Sequence, residues 1–429
     1  GTQNVALGGF ALDANTTASN NTAVGYNSLG ANTTGIQNTA VGSLALDANT
    51  DSHNNTAIGY LALSAHTSGD GNNTALGAQT LQDTTTGGNN TAAGTDALRL
   101  NTTGASNTAF GANALDSNTT ASNNTAVGRL ALGANTTGTR NTAVGANVLD
   151  AATTADDNTA LGFEALTACT SGSDNTALGK DALYHLTTAG FNTAVGKDAL
   201  TLLTTGQQNN ALGGQALASL TTGGGNNAFG RRSLLSCTTG GSNSAFGHDS
   251  GKDVTTGSNN VFLGNDAGRS NSPGGSIQSG SNVVVLGNNS TDNLLCADTT
   301  ISASDERDKT DIKDFTQGLS WINSLRPVTF KWDRRTWYGT DENPYGTSDG
   351  SKKATKTNVG FLAQEVLEIE KANGYGADND NSLITYEQED KMAYMLKEGK
   401  LIPILVNAIK ELSAKNTALE TRVATLEAA

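Results

Sequence analysis

The stretch "TTGIQNTAVGSLAL" (Thr33–Leu46) decides how this chain folds, because it keeps returning. Near copies are "TTGASNTAFGANAL" (102–115) and "TTGTRNTAVGANVL" (136–149). The Gly that closes each "NTAVG" falls at 8, 25, 42, 59, 77, 94, 111, 128, 145, 162, 179, 196, 213, 230, 247 and 264. Every step is 17 residues except one of 18, near Asp70-Gly71. A seventeenth copy, "NVVVLG", ends at Gly287 after a six-residue insertion around Pro273. A short fixed period of this regularity means a repeat architecture.

The columns of the repeat say which one. Asn stands four residues before the marker in all sixteen regular copies, and Ala stands two before it in all but one, where Phe262 replaces it. The position just before the marker is Val, Leu, Ile or Phe except at Ala93, and the fourth position after it is Leu in fourteen copies. "NTAVG" alternates like a short strand and "TTG" is a turn. Seventeen residues rich in Gly, Asn and Thr are too few and too poor in helix formers for a pair of helices. The period suits one coil of a parallel β-solenoid with two short strands joined by turns.

In such a stack identical side chains recur about every 4.8 Å, and sixteen coils make a rod section of roughly 75 Å. Asn above Asn pairs amide to carbonyl along the stack. The Val/Leu and Leu columns are expected to form the apolar seam, with Ala allowing close approach. Coils this thin bury little apolar area within one chain, which predicts an oligomer. The copies resemble the head repeats of trimeric autotransporter adhesins, and that resemblance implies a left-handed, trimeric β-roll over residues 1–290.

Composition excludes several functions. A net charge of −14 disfavours nucleic acid and anionic membrane surfaces as partners. No apolar run reaches the roughly 18–20 residues of a membrane helix, so no membrane insertion is expected. "GTQNVALGGF" has neither the basic region nor the apolar core of a signal peptide, and Gly1 already stands inside a repeat. Cys169 and Cys237 share a column 68 residues apart, too far for a disulfide, and Cys296 stands alone. With no Cys/His cluster, neither a metal site nor a cofactor is expected.

The N-x-T triplets follow from the repeat rather than from glycan attachment, and Asp13, Asp47, Asp116 and Asp150 read as solvated turn positions rather than calcium ligands. The repeat region has one Glu (Glu164) and no Trp, which argues against a polysaccharide-degrading rod. An ice- or glycan-binding solenoid, resting on the "TTG" column, is the remaining alternative.

The texture changes after a linker at 291–303. Residues 1–303 hold 28 charged side chains, while 304–429 hold 38 and all three Trp. "VTFKW" alternates like a strand and "FLAQEVLEIEK" has helical spacing, with Phe361, Leu362 and Val366 as packing residues. Ile402, Leu405, Ile409, Leu412, Asn416, Leu419, Val423 and Leu426 step by three and four. That is a coiled coil over 401–429 with Asn416 as its one polar core position, a residue that sets register and oligomer state.

"SDERDK" (304–309), "LRPVTFKW", "GFLAQEV" and "LIPILVNAIKEL" together resemble the C-terminal intramolecular chaperone domain of phage tailspikes and fibres, the peptidase S74 family. A similar domain occurs in myelin regulatory factor-like proteins. The resemblance implies a trimeric domain at 304–400 that helps its fibre assemble and then cuts itself off. Carried onto this chain, Ser304 is the nucleophile, Lys309 its base and Ala303–Ser304 the scissile bond, supported by Asp305 and Arg307. A Ser hydroxyl becomes nucleophilic once a base takes its proton, and a Lys serves if its pKa is lowered. Read without the downstream motifs, "SDERDK" is better taken as a helix start capped by Ser304 or Asp305. The expected function is a homotrimeric phage tail fibre or bacterial surface adhesin that contacts a glycan or protein receptor on a cell surface.

Overall fold

A computed structural model describes residues 1–291, 312–338, 346–378, 381–387 and 394–428. The chain divides into two compact units, Gly1–Ser290 and Thr291–Ala429.

The first unit is a parallel β-solenoid. Each coil supplies a single three-residue strand, from β1 (Val5–Leu7) to β17 (Val284–Leu286), and successive strands pair in parallel. Register follows the columns, with Ala23 opposite Ala40 and Ala40 opposite Ala57. The expected second strand is not there. Two residues on, Leu44 sits at φ 59°, and Leu46 follows at φ 51°. Left-handed residues at alternate positions curl the chain through tight turns instead of extending it. The marker Gly is obligatory for a different reason. At Gly128 φ is 136°, and a Cβ would stand 2.2 Å from the carbonyl oxygen of Gly145 in the next coil.

Strand alternation settles which columns are core, and it corrects the expected seam. Ala40 points inward and is buried, while Thr39 and Val41 on either side are only half-buried. The Val/Leu column just before the marker therefore lies on the outer face of the sheet. The core contains the Ala column and the left-handed Leu column, Leu29, Leu46 and Leu63 among them, together with two further inward columns, as at Ala45 and Ala62 and at Leu186 and Leu203. Two exceptions in the sequence compensate for one another. Gly replaces Leu at 251 and 268, and Phe262 replaces Ala between them. A Cβ on Gly268 would meet the Phe262 ring at 2.4 Å, and one on Gly251 would meet it at 2.8 Å. The ring fills the volume that the two leucines vacate.

The Asn column is buried from Asn21 to Asn260 and does more than stack amides. Asn141 Oδ1 accepts the backbone N–H of Asn158 at 3.0 Å, and Asn141 Nδ2 donates to the Ala155 carbonyl at 2.7 Å. The amide-to-carbonyl pairing along the stack is also present, with Asn158 Nδ2 to Asn141 Oδ1 at 3.2 Å.

The second unit contains α1 (Leu319–Ser324), α2 (Ala363–Ala372) and α3 (Leu401–Glu427). Two antiparallel pairs accompany them: β18 (Val328–Phe330) with β19 (Asn358–Gly360), and β20 (Thr385–Glu387) with β21 (Tyr394–Leu396). Trp321, Val366, Ile384 and Ile404 form its buried centre. Of the expected packing residues, Val366 is buried and Phe361 packs at the edge, while Leu362 precedes α2 and is exposed.

Phe262→Ala alone should leave a cavity costing about 3–5 kcal/mol. Combined with Gly251→Leu and Gly268→Leu, which restore the standard columns, it should recover most of that loss. Amide exchange of coils 15 and 16 in the full chain reads both outcomes; additive costs would mean the three sites do not share one space.

Candidate functional site

Ala303, Ser304, Asp305, Arg307 and Lys309 lie outside the described residues, as does Cys296. The structure instead shows what holds the chain immediately downstream of them. Residues 314–319 run along α3, where Asn407 Nδ2 donates to the carbonyls of Phe315 at 2.6 Å and Gln317 at 3.2 Å. The Glu411 carboxylate accepts the N–H of Leu319 at 3.3 Å, at the start of α1, where helix amides lack partners of their own. Gly318 permits this approach, since a Cβ there would fall 2.1 Å from Glu411 Oε1.

A second anchor escaped the sequence reading. Glu370 is fully buried in α2, and its Oε1 accepts the N–H groups of Leu383 at 2.7 Å and Ile384 at 2.6 Å. Its Oε2 accepts the N–H of Thr385 at 3.1 Å and also the Thr385 hydroxyl. One carboxylate thus satisfies three successive amides and ties α2 to β20, with charge-assisted bonds. The only sequence signal was an acidic residue on the apolar face of an amphipathic helix.

Among the described residues two apolar surfaces are left exposed. On α3, Ile404 and Ala408 face the domain core, while Ile402, Leu405, Ile409, Leu412, Leu419, Val423 and Leu426 are exposed. This second set is the three-four stripe of a coiled-coil seam. Asn416, within that stripe, bonds Glu420 of its own helix at 2.8 Å. On the solenoid, the outward column exposes Ile58, Leu76, Phe110, Val127, Leu161, Leu178, Leu212, Phe246 and Leu263.

Other candidates dissolve into structure. The first Thr of "TTG" spends its hydroxyl on the next coil: Thr102 Oγ1 donates to Thr119 O at 2.9 Å, and Thr119 Oγ1 to Thr136 O at 3.1 Å. That column is a half-buried spine whose hydroxyls bond along the rod, while the second Thr, as at Thr103 and Thr137, is exposed. Among the described residues, His248, Asp249 and Asp266 could together reach one cation. Arginines already occupy the carboxylates, with Arg232 Nε 2.7 Å from Asp249 Oδ1 and Arg269 Nη1 2.9 Å from Asp266 Oδ1. Asp47 and Asp150 are half-buried, and burial raises both above the usual carboxylate range. Burial also pushes the Cys169 and Cys237 thiols up to about 11, which leaves them inert at neutral pH.

A second buried column, seven residues after the marker, runs from Asn32 and Asn49 to Leu203 and Val254 and carries a histidine in one coil. His66 stands where Asn49 stands one coil earlier, and its Nε2 lies 2.9 Å from Ser52 Oγ. Burial lowers its pKa to about 4, against a smaller opposing pull from Asp51.

Residues 304–375 match the family model for the chaperone of endosialidase, the peptidase S74 family. The matched stretch takes in α1, β18, β19 and α2, while Ile384 and Ile404 complete its core from outside. No curated protein and no solved structure matches the chain.

His66 carries a depressed pKa in the folded state, so the unfolded chain binds the extra proton between pH 6.5 and about 4. Its contribution is complete above pH 6.5 and declines as pH falls to about 4, by up to about 3 kcal/mol. Denaturation of His66→Asn across that range should lose this acid limb. Separately, Glu370→Ala strands three amides and should cost more than about 3 kcal/mol. Glu368→Ala, at the exposed partner of Lys371, should stay within about 0.5 kcal/mol by the same denaturant titration.

Proposed function

We propose that the chain is a fibre subunit of the phage tail-fibre or tailspike kind, with a bacterial surface adhesin as the equivalent setting. In this reading its C-terminal segment is an intramolecular chaperone that assembles three copies and then separates from the shaft. The observation that carries it is the junction of two unlike parts. A solenoid whose coils are interchangeable is followed by a segment matching the chaperone of endosialidase. That segment ends in a 27-residue helix with an uncovered coiled-coil stripe.

The physical need is register. Slipping one chain past another by a single coil preserves almost every column, so near-identical shafts are prone to misalign. A trimer formed first at the C-terminus would set the chains level before the shafts meet. Once this is done the chaperone is dispensable. The Ser304 hydroxyl attacks the carbonyl carbon of Ala303 while the Lys309 amine takes the hydroxyl proton. An ester forms at Ser304 Oγ as the peptide bond breaks, and the released Ser304 amine takes up the proton. Water then hydrolyses the ester, ending a single turnover. Among the described residues no helix is long and apolar enough to cross a membrane. The exposed shaft is the part left to meet a glycan or protein on a cell surface.

Intact mass of the full chain should reveal a C-terminal fragment beginning at Ser304, and Ser304→Ala should abolish it. Persistence of the full-length wild-type chain would exclude self-cleavage. Deleting 304–429 should yield misassembled or insoluble shaft; a well-formed trimer without it would remove the need for a chaperone.

A further inference from the structure

The outward column of the solenoid varies in a way the repeat does not require. Its members change size in a fixed order, from Ile58 and Leu76 through Ala93 to Phe110, then Val127 and Val144, and later Phe229 and Phe246. The last two rings stack 4.9 Å apart. Resting on the fibre reading above, we infer that this column is the contact between parallel copies of this chain. The Ala93–Phe110 step and the Phe229–Phe246 stack set which coil meets which.

Three observations name a second copy as the occupant. The first is size. The large members stand about 40% open, as in Leu76 at 39%, Phe110 at 43% and Leu161 at 44%. Over the whole column this amounts to roughly 1,000 Å² of apolar surface per chain. The largest apolar patch on a typical monomer is about 300–600 Å², whereas a standard interface takes about 800 Å² from each partner. The second is pitch. A cover must present apolar groups every 4.8 Å or so along the whole rod, and another copy of the same rod does so by construction. The third is charge. Neither outward strand position carries an ionisable residue in any coil, although the chain is acidic overall at −14. This neutral band is where like-charged copies approach at least cost.

Register follows from the irregular members. In a rotationally symmetric bundle each layer holds the same residue from every copy. A layer of Phe110 then lies directly above a layer of Ala93, and the rings tilt into the space the alanines leave. A slip of one coil replaces these like-with-like layers by mixed ones: Ala93 of one copy meets Phe110 of the next, while Leu76 meets Ala93 and Phe110 meets Val127 in the layers on either side. The Phe layers are broken up likewise, with Leu212 facing Phe229 and Phe246 facing Leu263. Packing defects of this kind cost several-fold to hundreds-fold in population.

The test uses the full chain with single cysteines, the unmodified chain giving the background from its own thiols. Val127→Cys should form chain-to-chain disulfides under mild oxidation, and Asp116→Cys, off the strand, should not. Co-expressing Val127→Cys with Leu161→Cys, about 10 Å apart in register, should give mixed disulfides at under a tenth of the like-with-like yield. Levelling the column with Ala93→Val, Phe110→Val, Phe229→Val and Phe246→Val should raise the mixed product at least several-fold. A trimeric mass without Val127→Cys cross-links overturns the contact, and an unchanged mixed yield after levelling overturns the register role. A monomeric mass would instead defeat the fibre reading itself.

Discussion

The shaft depends on one side chain used in nearly the same way from coil to coil. Backbone bonds between coils continue through the turns, as from Leu46 N to Ala62 O at 3.0 Å and Thr50 N to Thr67 O at 2.9 Å, but the amide just before each strand is left to a side chain, and buried polar groups cannot remain unpaired. The Asn column resolves this. Its carbonyl oxygen takes that amide in the next coil, as Asn124 Oδ1 takes Asn141 N at 2.9 Å. Its amide closes a turn carbonyl fourteen residues ahead, as Asn124 Nδ2 does with Gly138 O at 2.8 Å. Ser or Thr has too short a reach to serve both, and Asp lacks the donor. The Ala column, the marker Gly and the left-handed leucines all presuppose coils held at the spacing this bond imposes.

Much of this was legible in the residues. The 17-residue period and the parallel stack follow from column identities. So do the helical stretches behind α2 and α3. What was not legible has a physical cause in each case. Leu is a poor candidate for left-handed backbone by intrinsic preference. A reading based on preference therefore extends Leu44 and Leu46 into a strand that the fold does not make. Hydrophobicity alone put Val41 in the core, yet alternation from Ala40 turns it outward, and only the position of Ala decides between the two. Glu370 was silent because its partners are backbone amides, which leave no mark in a sequence. The Ser304 and Lys309 assignment came from motif resemblance, and the match to residues 304–375 begins at that serine.

The two units divide the information. The Ala and left-handed Leu columns are nearly uniform because every coil must accept its neighbour, whereas other columns differ, among them the buried one that passes from Asn49 through His66 and Cys169 to Leu203. The variation is where identity resides: the paired rings of Phe229 and Phe246, the Arg232–Asp249 pair, the His66 coil. In the second unit the specificity lies in single long-range bonds. Asn407 and Glu411 reach back some 90 residues to fix the chain ahead of α1. One face of α3 is therefore committed to its own domain and the adjacent face remains open.

The Thr spine has a mechanical consequence. Its hydroxyl bonds and the strand ladder run along the rod axis, so a pull on the two ends loads the coils in series and the weakest opens first. Each opened coil rises from about 4.8 Å to roughly 55–60 Å of extended chain. Its neighbours lose only one interface. A rod built this way lengthens stepwise under tension and sheds load coil by coil instead of breaking at once. It would also rewind from the coils that remain, each of which is already the template for the next.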